Sequence, residues 1–198
     1  MHFWKCNNNW GDKLIYSWKK IVKNGIPILT ICICIEIFAG QILQGNQNKL
    51  FLIPIFLISI PVVNGIGGNI GSILGARLAS GLHTGLIELN IKDKSMRENF
   101  FSSLLIGFIS YVALAILIYY IAYFGNIQMN IGLLEFISII GITGFLLIIL
   151  VSLISVITAF WAFKKGLDPD DMVAPVVTTT GDTLGIIVLF LLIGAIGI

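Results

Sequence analysis

Asp182 stands about ten residues into the last strongly apolar stretch of the chain, behind Asp168-Pro169-Asp170-Asp171 and Thr178-Thr179-Thr180. An ionised side chain at the centre of a membrane helix costs about 2.5–3.5 kcal/mol on insertion scales, so a residue kept there is a functional candidate. On a helix, Asp171, Pro175, Thr178, Asp182 and Gly185 step by 4, 3, 4 and 3 and share one face. That face carries a carboxylate, a hydroxyl and a glycine where lipid favours leucine. The plainer reading is an aspartate that caps a broken helix or pairs with Arg77, but it leaves the polar row on either side unexplained. Glu36 and Arg77 are the other ionisable residues that stand out within apolar stretches.

The second apolar stretch offers a partner face. Gly67, Gly71 and Gly75 form two overlapping small-x-x-x-small motifs, which let helix backbones approach closely. Beside them Gly65, Asn69, Ser72 and Ala76 form a second small and polar row. Such rows usually signify helix packing alone. Asn69 argues for a lined path, because its amide needs a partner in hydrocarbon. Carboxylate, amide carbonyl and hydroxyl are hard oxygen donors that suit magnesium, calcium or manganese rather than zinc or copper. One carboxylate per chain is too few to strip magnesium of its water, so a largely hydrated ion is expected. Asp168, Asp170 and Asp171 would then form an acidic mouth collecting cations over about 8–10 Å. The alternative is a helix start, which Asp and Pro also suit.

The elements that must position these residues follow from composition. The chain has 198 residues, 57% hydrophobic and 11% charged, with a mean hydropathy of +0.98. A soluble domain carries about 25% charged residues. An all-α integral membrane protein is expected, and a single membrane domain with no separate soluble one. A span needs about 20 mainly apolar residues. Five stretches qualify, over about 26–43, 50–89, 100–124, 131–163 and 172–198. The second is too long for a simple span, so a distortion near Asn64–Gly68 plus a cytoplasmic extension is expected.

Lys and Arg cluster before the first span, between the second and third (Lys92, Lys94, Arg97) and between the fourth and fifth (Lys164, Lys165). The positive-inside rule places those segments and the N-terminus in the cytoplasm and the C-terminus outside. Residues 1–25 mix aromatics and lysines in the manner of an interfacial amphipathic lead-in rather than a cleaved signal. Cys6, Cys32 and Cys34 give no disulfide framework. Cys32 and Cys34, two apart in an apolar run, read as filler rather than metal ligands.

Two segments resemble MgtE-type magnesium transporters, nearest their animal solute-carrier branch. Pro61-Val62-Val63-Asn64-Gly65-Ile66-Gly67-Gly68-Asn69, followed by Leu74-Gly75-Ala76-Arg77-Leu78-Ala79-Ser80, is similar to that family's second transmembrane helix. Asp168-Pro169-Asp170, Ala174-Pro175 and Gly181-Asp182 are similar to its fifth, and Thr178-Thr179 with Asp182 and Gly185 matches the bacterial form. The resemblance spans about residues 26–198. It implies a central pore lined by helices two and five, with Asp182 as the main contact to a hydrated ion and Asn69 as a second pore-lining group. It also implies, less directly, a role for Glu36. Two departures stand out. Ile73 occupies the position of a bacterial glutamine, and the large cytoplasmic domains of bacterial relatives have no counterpart in this sequence.

The resulting expectation is a divalent cation channel or transporter, not an enzyme. Magnesium is its cargo, and neither an organic cofactor nor a nucleic-acid partner is expected. The ion contacts are Asp182, Asn69 and Thr178. The pore or its mouth is expected to include Gly65, Gly68, Ser72, Pro175, Thr179, Gly185, Asp168, Asp170, Asp171, Glu36 and Arg77. Five helices and one strong carboxylate are too little to enclose a polar path, so a homodimer, or a heterodimer with a related five-helix subunit, is expected in the plasma membrane. The competing readings are a non-transporting membrane scaffold and a metal-dependent membrane enzyme using the Asp168–Asp171 cluster. The enzyme would need more interfacial carboxylates than the chain supplies.

Overall fold

The structure is a computed structural model and describes residues 18–90, 92–127 and 131–196. Residues 1–17 of the lead-in, Cys6 among them, lie outside it. The described residues form helices α1 (Trp18–Gly45), α2 (Gln47–Leu52), α3 (Pro54–Thr84), α4 (Lys94–Phe124), α5 (Leu133–Lys164) and α6 (Pro169–Ile196), and no strands. Five of the helices are long and apolar enough to cross a membrane, α2 being the exception. The protein is a multi-pass membrane protein.

The long second apolar stretch divides, but not where its glycines suggested. Helix α3 runs unbroken through Asn64–Gly68, and the chain instead bends at Ile53, between α2 and α3. Pro54 is the cause. Its ring disfavours helical backbone at the preceding residue, and Ile53 accordingly sits at φ −135°, ψ 82°. At Gly67–Gly75 the neighbouring helices press on α3 and hold it regular, so the missing side chains become space for packing rather than a hinge.

Helices α3, α5 and α6 pack against one another as the central group. Helix α4 lies on the α3–α5 side, and α1 lies outside α6, touching among the other spans α6 alone. Glycines set these approaches. A Cβ at Gly71 would collide with both Val151 and Val177, and one at Gly75 with Val173. Gly144 receives the ring of Tyr111, whose hydroxyl donates to the Val63 carbonyl at 2.9 Å. The Ser155 hydroxyl reaches the Gly71 carbonyl at 2.9 Å, tying α5 to α3 by a bond that hydrocarbon cannot replace. On α1 only the stripe containing Cys32 and Ala39 is buried, while Ile31, Ile33, Ile37 and Phe38 face outward. Cys32 points its thiol at the Pro175 carbonyl, 3.6 Å away. It is a packing residue with a weak polar contact.

The end of α3 meets the start of α6. His83 Nε2 lies 3.7 Å from Asp168 Oδ1, and the His83 ring stands edge-on to Phe163 of α5. Lys23 of α1 shares a small cavity with Asp168 and Asp171. The basic segments around Lys23, Lys92–Arg97 and Lys164–Lys165 therefore gather at one end of the bundle.

Candidate functional site

The site is built where α3 and α6 come closest. Gly181 sits against the backbone of Gly68, with a Cβ there only 3.6 Å from the Gly68 nitrogen. A Cβ on Gly68 would in turn lie 3.1 Å from Cγ2 of Thr178. One turn toward the other end, the Asn64 amide donates to the Asp182 backbone carbonyl at 3.1 Å, and its Oδ1 fills the space that Gly185 leaves empty. Asn64, Gly68, Gly71 and Gly75 step by 4, 3 and 4, so they form the α3 edge turned toward α6.

Asp182 is partly exposed, and its carboxylate has no hydrogen-bond or ion-pair partner among the described residues. Arg77 does not pair with it. That guanidinium belongs to a groove between α3 and α4. The partner that the fold does bring is Glu36. Its Oε1 accepts from the Thr179 hydroxyl at 3.2 Å, and it is near enough for the two carboxylates to act on each other electrostatically. Thr179 is 2% exposed, so its hydroxyl positions Glu36 rather than facing open space. Thr178 donates to the carbonyls of Ala174 and Pro175, at 2.9 and 3.1 Å, which leaves the oxygen's lone pairs available.

The second row of α3 lies on a different side. Gly65, Asn69 and Ala76 are exposed and Ser72 is partly so, and nothing stands within 4 Å of a Cβ built on Gly65. The Ser72 hydroxyl atom itself is buried and has no hydrogen-bond partner among the described residues. Asn69 thus presents its amide away from the chain's own helices.

At the start of α6 the three aspartates divide their roles. Asp168 Oδ1 accepts from the Asp170 backbone N–H at 3.1 Å, a turn that opens the helix, and the same carboxylate faces His83. Asp170 and Asp171 are exposed. Pro175 has no N–H to offer the Asp171 carbonyl, which weakens the backbone ladder beside this mouth. Among the described residues no three His, Cys, Asp or Glu side chains converge as a metal cage. The donors present suit an ion that keeps its own water.

Residues 60–192 match MgtE, a divalent cation transporter family, and the match covers well over half of the chain and both motif-bearing helices. The chain belongs to the MgtE family. No curated protein matches it closely enough to count as a relative. Membership makes divalent cation transport the general activity of this MgtE protein. Asn64 is the site residue that sequence reasoning passed over. Its signal was the helical spacing to Gly68, Gly71 and Gly75, obscured by its neighbour Gly65, which begins the other row.

Proposed function

We propose that this MgtE protein conducts largely hydrated magnesium along a path lined by α3 and α6, as a dimer with an identical or related five-span subunit in the plasma membrane. The observation that carries this reading is the Asp182 carboxylate, unpartnered among the described residues and set beside the Gly68–Gly181 contact of α3 and α6. Asp182 is the main ion contact. Glu36 supplies a second negative charge nearby, and Thr178 and Asn69 offer oxygens to the ion's water shell. A dication that holds its water tightly is best met by one or two carboxylates and several neutral oxygens.

The exposed Gly65–Asn69–Ala76 row supports the dimer, since an amide facing hydrocarbon is costly and a second copy would cover it. Two Asp182 side chains facing each other across the axis would repel unless a cation lay between them, which couples ion binding to assembly. The end bearing the basic segments is assigned to the cytoplasm by the positive-inside rule. Asp170 and Asp171 stand at that mouth, and Asp168 is divided between it and the helix start.

Magnesium flux into liposomes containing the purified protein tests the reading. Asp182→Asn keeps shape and removes charge, and it should lower flux at least about tenfold, some 1.4 kcal/mol of ion stabilisation. Wild-type flux from a well-folded Asn variant would refute the assignment.

A further inference from the structure

Arg77 is an exposed cation on a span. It lies seven residues before the end of α3 at Thr84, about 10 Å down the helix axis. Among the described residues it has no carboxylate partner. A guanidinium without a carboxylate partner calls for an anion, and its planar fork matches phosphate in two-pronged fashion.

The surroundings specify which anion. Arg77 opens onto a groove of about 660 Å³ between α3 and the start of α4, shared with Ser80, Ser95 and Asn99. The hydroxyls of Ser80 and Ser95 make no hydrogen bond among the described residues and are free to donate. Ile73 of the same groove, one turn inward of Arg77, is 52% exposed and gives it an apolar end. A separate cleft at the start of α4 holds Lys92, Lys94 and Arg97. Of these, Lys94 is offset by Glu98 at 3.7 Å, in an exposed pair worth little. From the end of α3 inward the groove presents the Ser80 hydroxyl, the Arg77 guanidinium and then Ile73. It matches a lipid read from phosphate to acyl chain.

We propose that this groove binds an anionic phospholipid, its phosphate on Arg77 and the Ser80 and Ser95 hydroxyls, its acyl chain along Ile73. A free phosphate would leave the exposed Ile73 side chain uncovered. The proposal does not depend on how the ion crosses.

The test uses the full chain in detergent, offered equal amounts of phosphatidylglycerol and phosphatidylcholine with identical acyl chains, and read by native mass spectrometry. The wild type should retain phosphatidylglycerol over phosphatidylcholine by about fivefold or more, as one well-placed basic residue near the membrane surface confers. Arg77→Gln should bring that ratio close to unity. Ser95→Trp, which fills the groove and keeps Arg77, should do the same and decides the matter if Arg77→Gln does not fold. Inorganic phosphate should not displace the lipid. An unchanged preference in the folded variants would overturn the proposal, as would displacement by phosphate alone. Loss of dimers in Arg77→Gln with the lipid preference intact would assign the groove to a second copy instead and also overturn it.

Discussion

On one side of α3, Asn64, Gly68, Gly71 and Gly75 meet side chains and backbone of α5 and α6. On another, Gly65, Asn69 and Ala76 are exposed, and a Cβ built on Gly65 meets nothing within 4 Å. Both rows are small and polar, and both would read alike on a helical wheel. The first is a packing edge, where absent side chains admit Val151, Val173 and Val177 at close range and the Asn64 amide enters the gap at Gly185. The second is an open edge, where the absence of bulk leaves room beside Asn69. Small residues on a membrane helix thus serve two ends, and only what stands opposite distinguishes them.

Alanine substitutions at the two edges should separate them most sharply. At Gly71 a methyl group would strike two branched valines at once, an overpacking that costs about 1–3 kcal/mol. Better helix propensity returns up to about 1 kcal/mol of that. Gly71→Ala should therefore destabilise the protein by about 1–2 kcal/mol in a denaturant titration in mixed micelles. Gly65→Ala, with open space around it, should be neutral or stabilise by up to about 1 kcal/mol. Equal losses at both positions would erase the distinction between the edges.

Asn69 probes the open edge without touching the core. Asn69→Leu should lower magnesium flux about fivefold, the equivalent of one lost hydrogen bond of about 1 kcal/mol, with stability unchanged. Asn69→Cys, in a chain freed of Cys6, Cys32 and Cys34, should crosslink between subunits in native membranes, with a yield that changes on adding magnesium. Exclusively monomeric, transport-active protein would end the dimer reading. Asn69 suits this better than Thr179, which is buried against Glu36.

The smallest effect belongs to the mouth. Asp168 is kept, because it opens α6 and faces His83, while Asp170 and Asp171 are changed to Asn. Flux should fall by about twofold at low ionic strength and be unaffected at high salt, since exposed charges act over roughly 8–10 Å before screening. A loss that ignores salt would mean that these aspartates only shape the helix start.

The spans were legible because hydrocarbon demands long apolar segments whatever their partners, and each of the five runs corresponds to a helix able to cross. Asp182 stood out as a candidate for the converse reason: a carboxylate is costly in such a run. The bend of the second run was misplaced. Glycines in sequence signal freedom to bend, but here α5 and α6 fill the space beside them, and the proline at position 54 is what interrupts the helix.

Composition and periodicity therefore determined the number of spans, the end that gathers the basic residues and the acidic residue that stands within the last span. Those properties depend on the solvent each segment must face, and hydropathy reports that directly. Tertiary structure alone decided which edge of α3 is packed, that Asn64 holds the Asp182 backbone, that Thr179 carries Glu36 to the same region, and that Arg77 turns to α4 instead. Each depends on helices far apart in sequence, such as the 143 residues between Glu36 and Thr179. The rotation of one helix against another is set by the interlocking of many small contacts, to which no single segment's pattern gives access.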